Sequence, residues 1–143
     1  MFVVLGATGN TGSAVVETLL SKNQPVRVVV RSADKGAGWK AKGADVAVAS
    51  LDDVSALTKA FEGAKGLYLL VPPNYGAEAW LADQRQRMDR AAEAVQKSGV
   101  EHVVLLSSVG GHLHGGTGPI RAASYGEYAL GCHAKRLTIL RPC

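Results

Sequence analysis

The stretch that decides the fold is the N-terminal run Met1-Phe2-Val3-Val4-Leu5-Gly6-Ala7-Thr8-Gly9-Asn10-Thr11-Gly12. A short apolar segment typical of a strand ends at Gly6, a loop of small residues follows, and an amphipathic segment begins at about Asn10 or Thr11. Glycines in such a loop let the chain turn tightly, and they let a diphosphate approach the backbone without meeting a Cβ atom. The stretch therefore predicts a strand–loop–helix unit in which the N-terminus of the helix binds an anion.

The spacing of these glycines is Gly-x-x-Gly-x-x-Gly, whereas most dinucleotide-binding dehydrogenases have Gly-x-Gly-x-x-Gly. Glycine spacing alone is also compatible with a glycine-rich turn in another kind of α/β protein. Two further features favour dinucleotide binding, because the loop opens a βαβ pattern and a basic residue ends the second strand.

Length and composition set the class of protein. The 143 residues are predicted to form one domain over 1–143, and 47% hydrophobic and 20% charged residues are ordinary for a globular chain. No apolar run approaches the roughly 18 residues that span a bilayer, and no basic region precedes the first apolar run. Cys132 and Cys143 have no metal-binding spacing and suit a reducing compartment. We therefore expect a cytoplasmic protein that contacts no membrane.

The charge pattern bears on the kind of partner. The formal net charge is +4, but the sixteen Lys and Arg residues are scattered and no aromatic–basic cluster accompanies them. This distribution predicts no nucleic-acid partner. A modestly basic surface instead suits an anionic small-molecule cofactor.

The second apolar run, Val26 to Val30, follows Pro25 and is β-branched enough to predict a buried parallel strand. It ends at Arg31-Ser32, where a dinucleotide fold places the residue that reads the ribose. An acidic side chain there accepts hydrogen bonds from a free 2′-hydroxyl, whereas an arginine pairs with a 2′-phosphate. Arg31 therefore favours NADP(H) over NAD(H), with Ser32 as a second phosphate contact. The alternative is that Arg31 is only a solvated residue at a strand end.

The rest of the chain continues the alternation of strands and helices. Further strands are predicted at 44–49, 66–71, 100–106 and 136–141, and helices at 13–21, 53–61, 77–98 and 120–130, with 34–42 a short helix or loop. Asp52 or Asp53 is expected to cap the helix at 53–61, and Gly99 and Gly131 are expected to end the last two helices. The pattern predicts a three-layer, doubly wound parallel α/β sheet of about six strands in the order 3-2-1-4-5-6.

Two segments should reach the carboxyl edge of this sheet, where ligands bind in doubly wound folds. Pro72 and Pro73 after the fourth strand prevent an immediate helix, so Val71, Pro72 and Pro73 are expected to line the cofactor channel. Ser107 and Ser108 follow the fifth strand, at the nicotinamide end of a bound cofactor. Because successive strand residues point to opposite faces, at most one of these two serines is expected to face the cofactor.

Two other features have plain explanations. His112 and His114 lie in a glycine-rich loop with no carboxylate or cysteine at ligand spacing, so no metal site is predicted. The charged face of the helix at 77–98 is expected to be solvated, with packing against a second subunit in a homodimer as the alternative.

Taken together, these residues resemble the NmrA-like, atypical short-chain dehydrogenase/reductase family. The matching segments follow the family's order along nearly the whole chain and are 4–12, 28–31, 69–73, 103–110 and 137–142. The resemblance implies either reduction of quinone-like or related small electrophiles, or sensing of the cofactor without catalysis. It also implies that NADP(H) is bound by Gly6, Thr8, Gly9, Asn10, Thr11, Gly12 and Arg31.

The chain departs from this family in its proton-donor residues. Short-chain dehydrogenases commonly use Tyr-x-x-x-Lys on one helix, where the lysine lowers the pKa of the tyrosine. Neither Tyr125 nor Tyr128 is followed by a lysine four residues later. Relatives also often carry a lysine or histidine one turn before the glutamate that Glu127 matches, where this chain has Ala123. The candidate acids are therefore Ser108, Tyr125 and Tyr128.

The leading functional prediction is an NADP(H)-binding oxidoreductase domain that transfers hydride to a small quinone-like or carbonyl electrophile. The first alternative is a non-catalytic redox sensor that reports the state of NADP(H) to a regulatory protein partner. The second is an inactive, truncated cofactor-binding fragment, because family members usually continue past the segment that matches 137–142 into a region that covers the substrate.

Overall fold

The computed structural model describes residues 1–113 and 115–142, so His114 and Cys143 lie outside the described residues. The strands are β1 (Phe2–Leu5), β2 (Val26–Val30), β3 (Asp45–Val48), β4 (Gly66–Leu69), β5 (His102–Leu106) and β6 (Leu137–Leu140). The helices are α1 (Asn10–Ser21), α2 (Ala33–Ala41), α3 (Val54–Phe61), α4 (Trp80–Ser98) and α5 (Ile120–His133). None of the helices in this part of the chain has the length and apolar character needed to cross a membrane.

The strands form one parallel sheet in the order β3-β2-β1-β4-β5-β6, which confirms the topology predicted from the sequence. β1 lies near the centre, where Val4 is in register with Val28 of β2 on one side and with Tyr68 of β4 on the other. The chain builds the sheet outward from β1 to β3 and then from β4 to β6. The strand order therefore reverses between β1 and β4, and a doubly wound sheet opens a crevice at that point of its carboxyl edge.

Helices cover both faces of the sheet and divide the core in two. Val3 and Leu5 belong to the cluster that includes Phe61 of α3 and other buried residues of α3, α4 and α5. Val4 points to the opposite face and joins a second cluster with Val16 of α1. Because both faces are buried, the central strands are continuous apolar runs, as expected for a parallel sheet.

Two helix ends follow the capping rules used in the sequence analysis. Asp53 is the N-cap of α3, and its carboxylate accepts a 2.9 Å hydrogen bond from the N–H of Ala56. Asp52 does not cap this helix, because its carboxylate accepts a 2.8 Å hydrogen bond from Arg90 of α4. Gly99 ends α4 in the left-handed conformation, with φ +68.

Two boundaries at the carboxyl edge differ from the prediction. β4 ends at Leu69, two residues early, because its pairing with β5 stops there and the chain approaches Pro72, which has no N–H for a sheet. α4 begins at Trp80, three residues late, because Ala77 lies in a turn and donates its N–H to the carbonyl of Asn74 across 3.1 Å. The loop between β4 and α4 is consequently longer than the sequence indicates.

The prediction that Gly131 ends α5 is wrong, because the helix continues through Gly131 to His133. A glycine ends a helix when it adopts a left-handed backbone, and Gly131 is not among the described glycines with positive φ. The helix ends where Ala134 takes an extended conformation, with φ −83 and ψ 139.

Helix α1 packs closely against the turn that follows β1. A Cβ atom added to Gly12 would overlap the carbonyl group of Gly6 and would lie 3.0 Å from the amide nitrogen of Ala7. These neighbours are backbone atoms, which cannot rotate away as the end of a flexible side chain can. The distance at which α1 meets the end of β1 therefore requires glycine at position 12.

The Gly12→Ala substitution is expected to lower the free energy of unfolding by about 1–3 kcal/mol, the range typical of an overpacked contact. Gly131→Ala is the matched control, because Gly131 lies inside α5 and nothing is within 4 Å of an added Cβ atom. The control should stabilise the protein by about 0.5–1 kcal/mol. Urea unfolding measures both effects, and a Gly12→Ala protein as stable as the wild type would contradict the close packing.

Candidate functional site

The turn after β1 and the start of α1 form a backbone cradle, residues 6–12. Gly6 has φ +82, which favours glycine, and an added Cβ atom would meet Cδ2 of Leu70 at 2.8 Å. The N–H of Gly9 donates to the carbonyl of Gly6 across 3.0 Å and closes the turn. Thr8 and Gly9 are exposed, so the outer side of the cradle is open to a ligand.

The first turn of α1 presents unpaired N–H groups to this cradle. Gly9 is the N-cap, with φ −97 and ψ 169, and it has no side chain that could accept from the first N–H groups. The first turn contains no acidic residue, so no carboxylate there offsets the positive end of the helix. Asn10 and Thr11 are exposed, and Gly12 is buried. This arrangement suits an anion such as a diphosphate.

Arg31 and Ser32 lie next to the cradle at the carboxyl end of β2, which pairs with β1 in the register Leu5–Val29. The Arg31 side chain is exposed, and among the described residues it takes part in no ion pair. Ser32 is the N-cap of α2, and its hydroxyl lowers the pKa of the Asp34 carboxyl through a hydrogen bond. The guanidinium is therefore exposed to solvent at the same edge of the sheet as the cradle.

A cavity of about 290 Å³ lies at the carboxyl edge near the cradle. Leu70 is one of its walls, and a Cβ atom added at position 6 of the cradle would contact the Leu70 side chain. The cradle and the cavity are therefore adjacent. The other walls come from the ends of β4 and β5 and the starts of α4 and α5: Val71, Pro73, Tyr75, Trp80, Gln84, Met88, Leu105, Leu106, Ser107, Ser108, Pro119, Ile120, Ala122 and Ala123. Most of these side chains are apolar.

The loop after β4 contributes residues to the cavity wall. Val71 and Pro73 are among the lining residues, whereas Pro72 is not and is exposed. The carbonyl of Pro72 accepts a 3.4 Å hydrogen bond from Nε2 of Gln84, which is buried in α4. Gln84 thus connects this loop to α4.

An aromatic pair that the sequence analysis did not assign to the site forms another wall. The rings of Tyr75 and Trp80 stack with their centroids 5.7 Å apart and their planes 10° apart. Both residues line the cavity. Their stacking gives one side of the cavity a flat aromatic surface.

Both predicted serines line the cavity, but Ser107 is also part of a hydrogen-bonded network. The Ser107 hydroxyl donates to Oε1 of Glu127 across 2.5 Å. Arg141 donates from Nε to Oε1 across 2.9 Å and from Nη2 to Oε2 across 2.6 Å. The Glu127 side chain is only 10% exposed. A buried carboxylate therefore connects the end of β5 to the residue that follows β6.

The charge of this network is fixed by its contacts. The hydrogen bonds from Arg141 hold the pKa of the Glu127 carboxyl below its ordinary value, and the Ser107 hydroxyl lowers it further. Burial acts in the opposite direction, because it disfavours the charged form. The same pair raises the pKa of Arg141. At neutral pH, Glu127 is therefore a carboxylate that accepts from both partners.

The structure does not bring the three candidate acids together. Ser108 lines the cavity, whereas neither Tyr125 nor Tyr128 is among its walls. The Tyr125 hydroxyl donates to Asp89 of α4 across 2.6 Å, and this hydrogen bond raises the pKa of Tyr125. The Tyr128 side chain is 70% exposed. Of the three, only Ser108 is placed to contact a ligand in the cavity.

Metal-ligating side chains do not cluster within the described ranges. Over 1–113 and 115–142 there is no group of three or more His, Cys, Asp or Glu residues that could hold a metal ion. His112 is exposed, and His114 lies outside these ranges.

Comparison with known proteins points to one family. A family model described as NAD(P)H-binding matches residues 6–141. Quinone oxidoreductase 2 of Escherichia coli (strain K12) is 31% identical over 125 residues, which are 86% of this chain and 40% of that protein. An NmrA-like family domain-containing oxidoreductase of Aspergillus japonicus is 31% identical over 113 residues, 75% of this chain and 34% of that protein.

A solved structure shares the fold. The NADPH-dependent quinone oxidoreductase of Escherichia coli, complexed with NADPH, matches with a TM-score of 0.83 and 25% identity over 99% of this chain and 48% of that chain. This chain thus spans less than half the length of each of these three proteins.

The free energy of unfolding is expected to depend on pH through Glu127. Because the pKa of Glu127 is lower in the folded chain than in the unfolded chain, its ionisation stabilises the fold above the unfolded pKa. That stabilisation is lost as the pH falls through the folded pKa. The stability difference between the wild type and Glu127→Gln should therefore be largest at neutral pH and shrink in acid.

Chemical denaturation at several pH values measures this difference. Glu93→Gln is the control, because Glu93 pairs with Lys97 in an exposed (i, i+4) ion pair on α4. The difference in free energy of unfolding between the wild type and Glu93→Gln should stay small at every pH. A difference between wild type and Glu127→Gln that does not change with pH would contradict the role given to the ionised carboxyl.

Proposed function

We propose that this chain, which belongs to the NAD(P)H-binding family, is an oxidoreductase domain that uses NADPH to reduce a small quinone-like or carbonyl electrophile. Its relation to an NmrA-like oxidoreductase agrees with the resemblance predicted from the sequence. The observation that carries the proposal is the uncapped N-terminus of α1 in an open cradle, adjacent to an apolar cavity at the same edge of the sheet.

The cradle is the proposed site of the cofactor diphosphate. The first N–H groups of α1 would donate to its oxygens, and no acidic residue of the first turn would repel it. The exposed side chains of Thr8 and Thr11 add donors at the same point. The proposed contacts are Gly6, Thr8, Gly9, Asn10, Thr11 and Gly12.

Arg31 is the residue proposed to bind the 2′-phosphate on the cofactor ribose. Its exposed guanidinium follows the strand that neighbours β1, and a 2′-phosphate is the group that an arginine binds there. Ser32 is the proposed second contact. The related Escherichia coli enzyme was solved with NADPH, which supports the same choice of cofactor here.

The cavity is the proposed site of the substrate and of the nicotinamide end of the cofactor. When bound, the reduced nicotinamide supplies a hydride, and the cavity would hold the acceptor beside it and exclude water. The flat Tyr75–Trp80 wall suits a planar acceptor, and a quinone is of this kind. Ser108 is the proposed proton donor because it lines the cavity, whereas the Ser107 proton is directed at Glu127.

Replacing Arg31 by aspartate is expected to weaken NADPH binding by about ten- to a hundredfold, because a charge-assisted hydrogen bond is worth about 1.5–3 kcal/mol. NADH binding should change by much less, since NADH has no 2′-phosphate. Titrations followed by cofactor fluorescence measure both affinities.

Arg136→Asp is the matched control for this charge change. Arg136 is exposed at the amino edge of the sheet, 3.9 Å from Glu101, far from the cradle. It should leave both affinities nearly unchanged. If Arg31→Asp also leaves the preference for NADPH unchanged, Arg31 is only a surface residue.

Turnover is tested by mixing the protein with NADPH and a panel of quinones and aldehydes. Oxidation of NADPH, followed by the loss of its absorbance, is expected with at least one quinone. Tight NADPH binding without turnover of any acceptor would remove the enzymatic part of the proposal.

A second candidate function is a redox sensor that reports the NADPH/NADP⁺ ratio to a partner protein. It is favoured by the position of Tyr125 and Tyr128, which lie outside the cavity and leave no tyrosine–lysine pair in it. A sensor must bind the reduced and oxidised cofactors with different affinities, because equal affinity shifts no population. Titration with NADPH and with NADP⁺ distinguishes the two candidates when turnover is absent.

A further inference from the structure

The Ser107 hydroxyl lies at the wall of the cavity and already donates its proton to a hydrogen bond within the protein. Ser107 is 8% exposed, it lines the cavity, and it donates to Oε1 of Glu127 across 2.5 Å. A serine hydroxyl has one proton and two lone pairs. Toward the cavity, Ser107 can therefore only accept a hydrogen bond.

Glu127 keeps the hydroxyl in this orientation. As a carboxylate it has no proton to donate, so the hydrogen bond between the two residues can run in one direction only. The forked contact from Arg141 holds both carboxylate oxygens and fixes the plane of the group. The direction of the Ser107 proton is thus set by residues of α5 and of the segment after β6.

Gly111 encloses this hydrogen bond. A Cβ atom at position 111 would run into Oε1 of Glu127 and would lie 2.7 Å from Oγ of Ser107. The loop backbone therefore packs directly on the pair, and the turn is closed by the N–H of Gly111 donating to the carbonyl of Ser108 across 2.9 Å. On the side of this loop there is therefore no room for another hydrogen-bond partner.

We propose that Glu127 is a positioning residue that holds Ser107 as a fixed hydrogen-bond acceptor for an N–H or O–H group of the ligand in the cavity. The proposal rests on the proposed function. Two ligand groups have this chemistry: the carboxamide of the nicotinamide ring and the hydroxyl of a reduced quinone. A carbonyl oxygen, which only accepts, has no partner at Ser107.

The first arm of the test uses the carboxamide. The binding affinity of NADP⁺ is compared with that of the analogue in which an acetyl group replaces the carboxamide and so removes its N–H donors. If the carboxamide is the donor, the wild type should prefer NADP⁺ by about two- to tenfold, the value of one neutral hydrogen bond. Ser107→Ala and Glu127→Gln should both lose this preference, and the double variant should lose no more than either single variant.

The second arm uses the product. The second arm applies if the wild type, the two single variants and the double variant all show the same preference for NADP⁺. Inhibition by a hydroquinone is then compared with inhibition by its dimethyl ether. The wild type should then prefer the hydroquinone by about two- to tenfold, and Ser107→Ala and Glu127→Gln should lose that preference. Glu93→Gln is the control in both arms, because Glu93 lies in the exposed ion pair of α4.

The outcomes separate the two proposals. A wild type that binds no dinucleotide overturns the proposed function and this inference with it. Cofactor binding with no discrimination that depends on Ser107 in either arm overturns only the inference. The inference is also overturned if Glu127→Gln reduces the discrimination by the same factor in the wild-type and Ser107→Ala backgrounds. Glu127 would then act by stabilising the fold and not through Ser107. If Glu127→Gln does not fold, Ser107→Ala, which keeps the Glu127–Arg141 pair, decides by itself.

Discussion

The close packing of the first turn of α1 on the backbone of Gly6 is the constraint on which the rest of the structure depends. A side chain at position 12 would collide with the backbone of Gly6, and the positive φ of Gly6 favours glycine at position 6, so both positions suit glycine. This packing points the first N–H groups of α1 into the turn after the central strand. It also packs Leu70 beside the cradle, and Leu70 is a wall of the cavity. One local packing arrangement thus places the proposed anion site next to the apolar cavity.

Most of the fold could be predicted from the sequence because its signals are local. The β2 strand matches its prediction to the residue, since Pro25 and Arg31 bound a strongly β-branched run. The strand order follows from the alternation of elements and the handedness of crossovers. Boundaries that depend on tertiary contacts could not be predicted in this way. β4 ends where its pairing with β5 stops, and Gly131 stays helical because nothing at that position requires a left-handed backbone.

The candidate site shows the same difference between features set by local sequence and features set by tertiary contacts. Cradle residues are consecutive, so their spacing alone predicts how they are arranged. The hydroxyl groups are different, because their partners are distant in sequence: Ser107 bonds a glutamate 20 residues away, and Tyr125 bonds an aspartate 36 residues away. No periodicity within one element reports such a contact. The match of Glu127 to a family glutamate was the one signal that could have drawn attention to the Ser107 network before the structure was known.

The substitution Gly9→Ala tests most directly the central claim that a diphosphate binds at the N-terminus of α1. Gly9 has an extended backbone, and an added Cβ atom would lie 3.5 Å from the carbonyl oxygen of Gly6, an ordinary contact. The variant should therefore fold and lose at most about 1 kcal/mol of stability. Its methyl group would occupy the surface that the diphosphate must approach. Titration of the folded variant with NADPH should show binding weaker by about tenfold or more, whereas an affinity equal to that of the wild type would contradict the account.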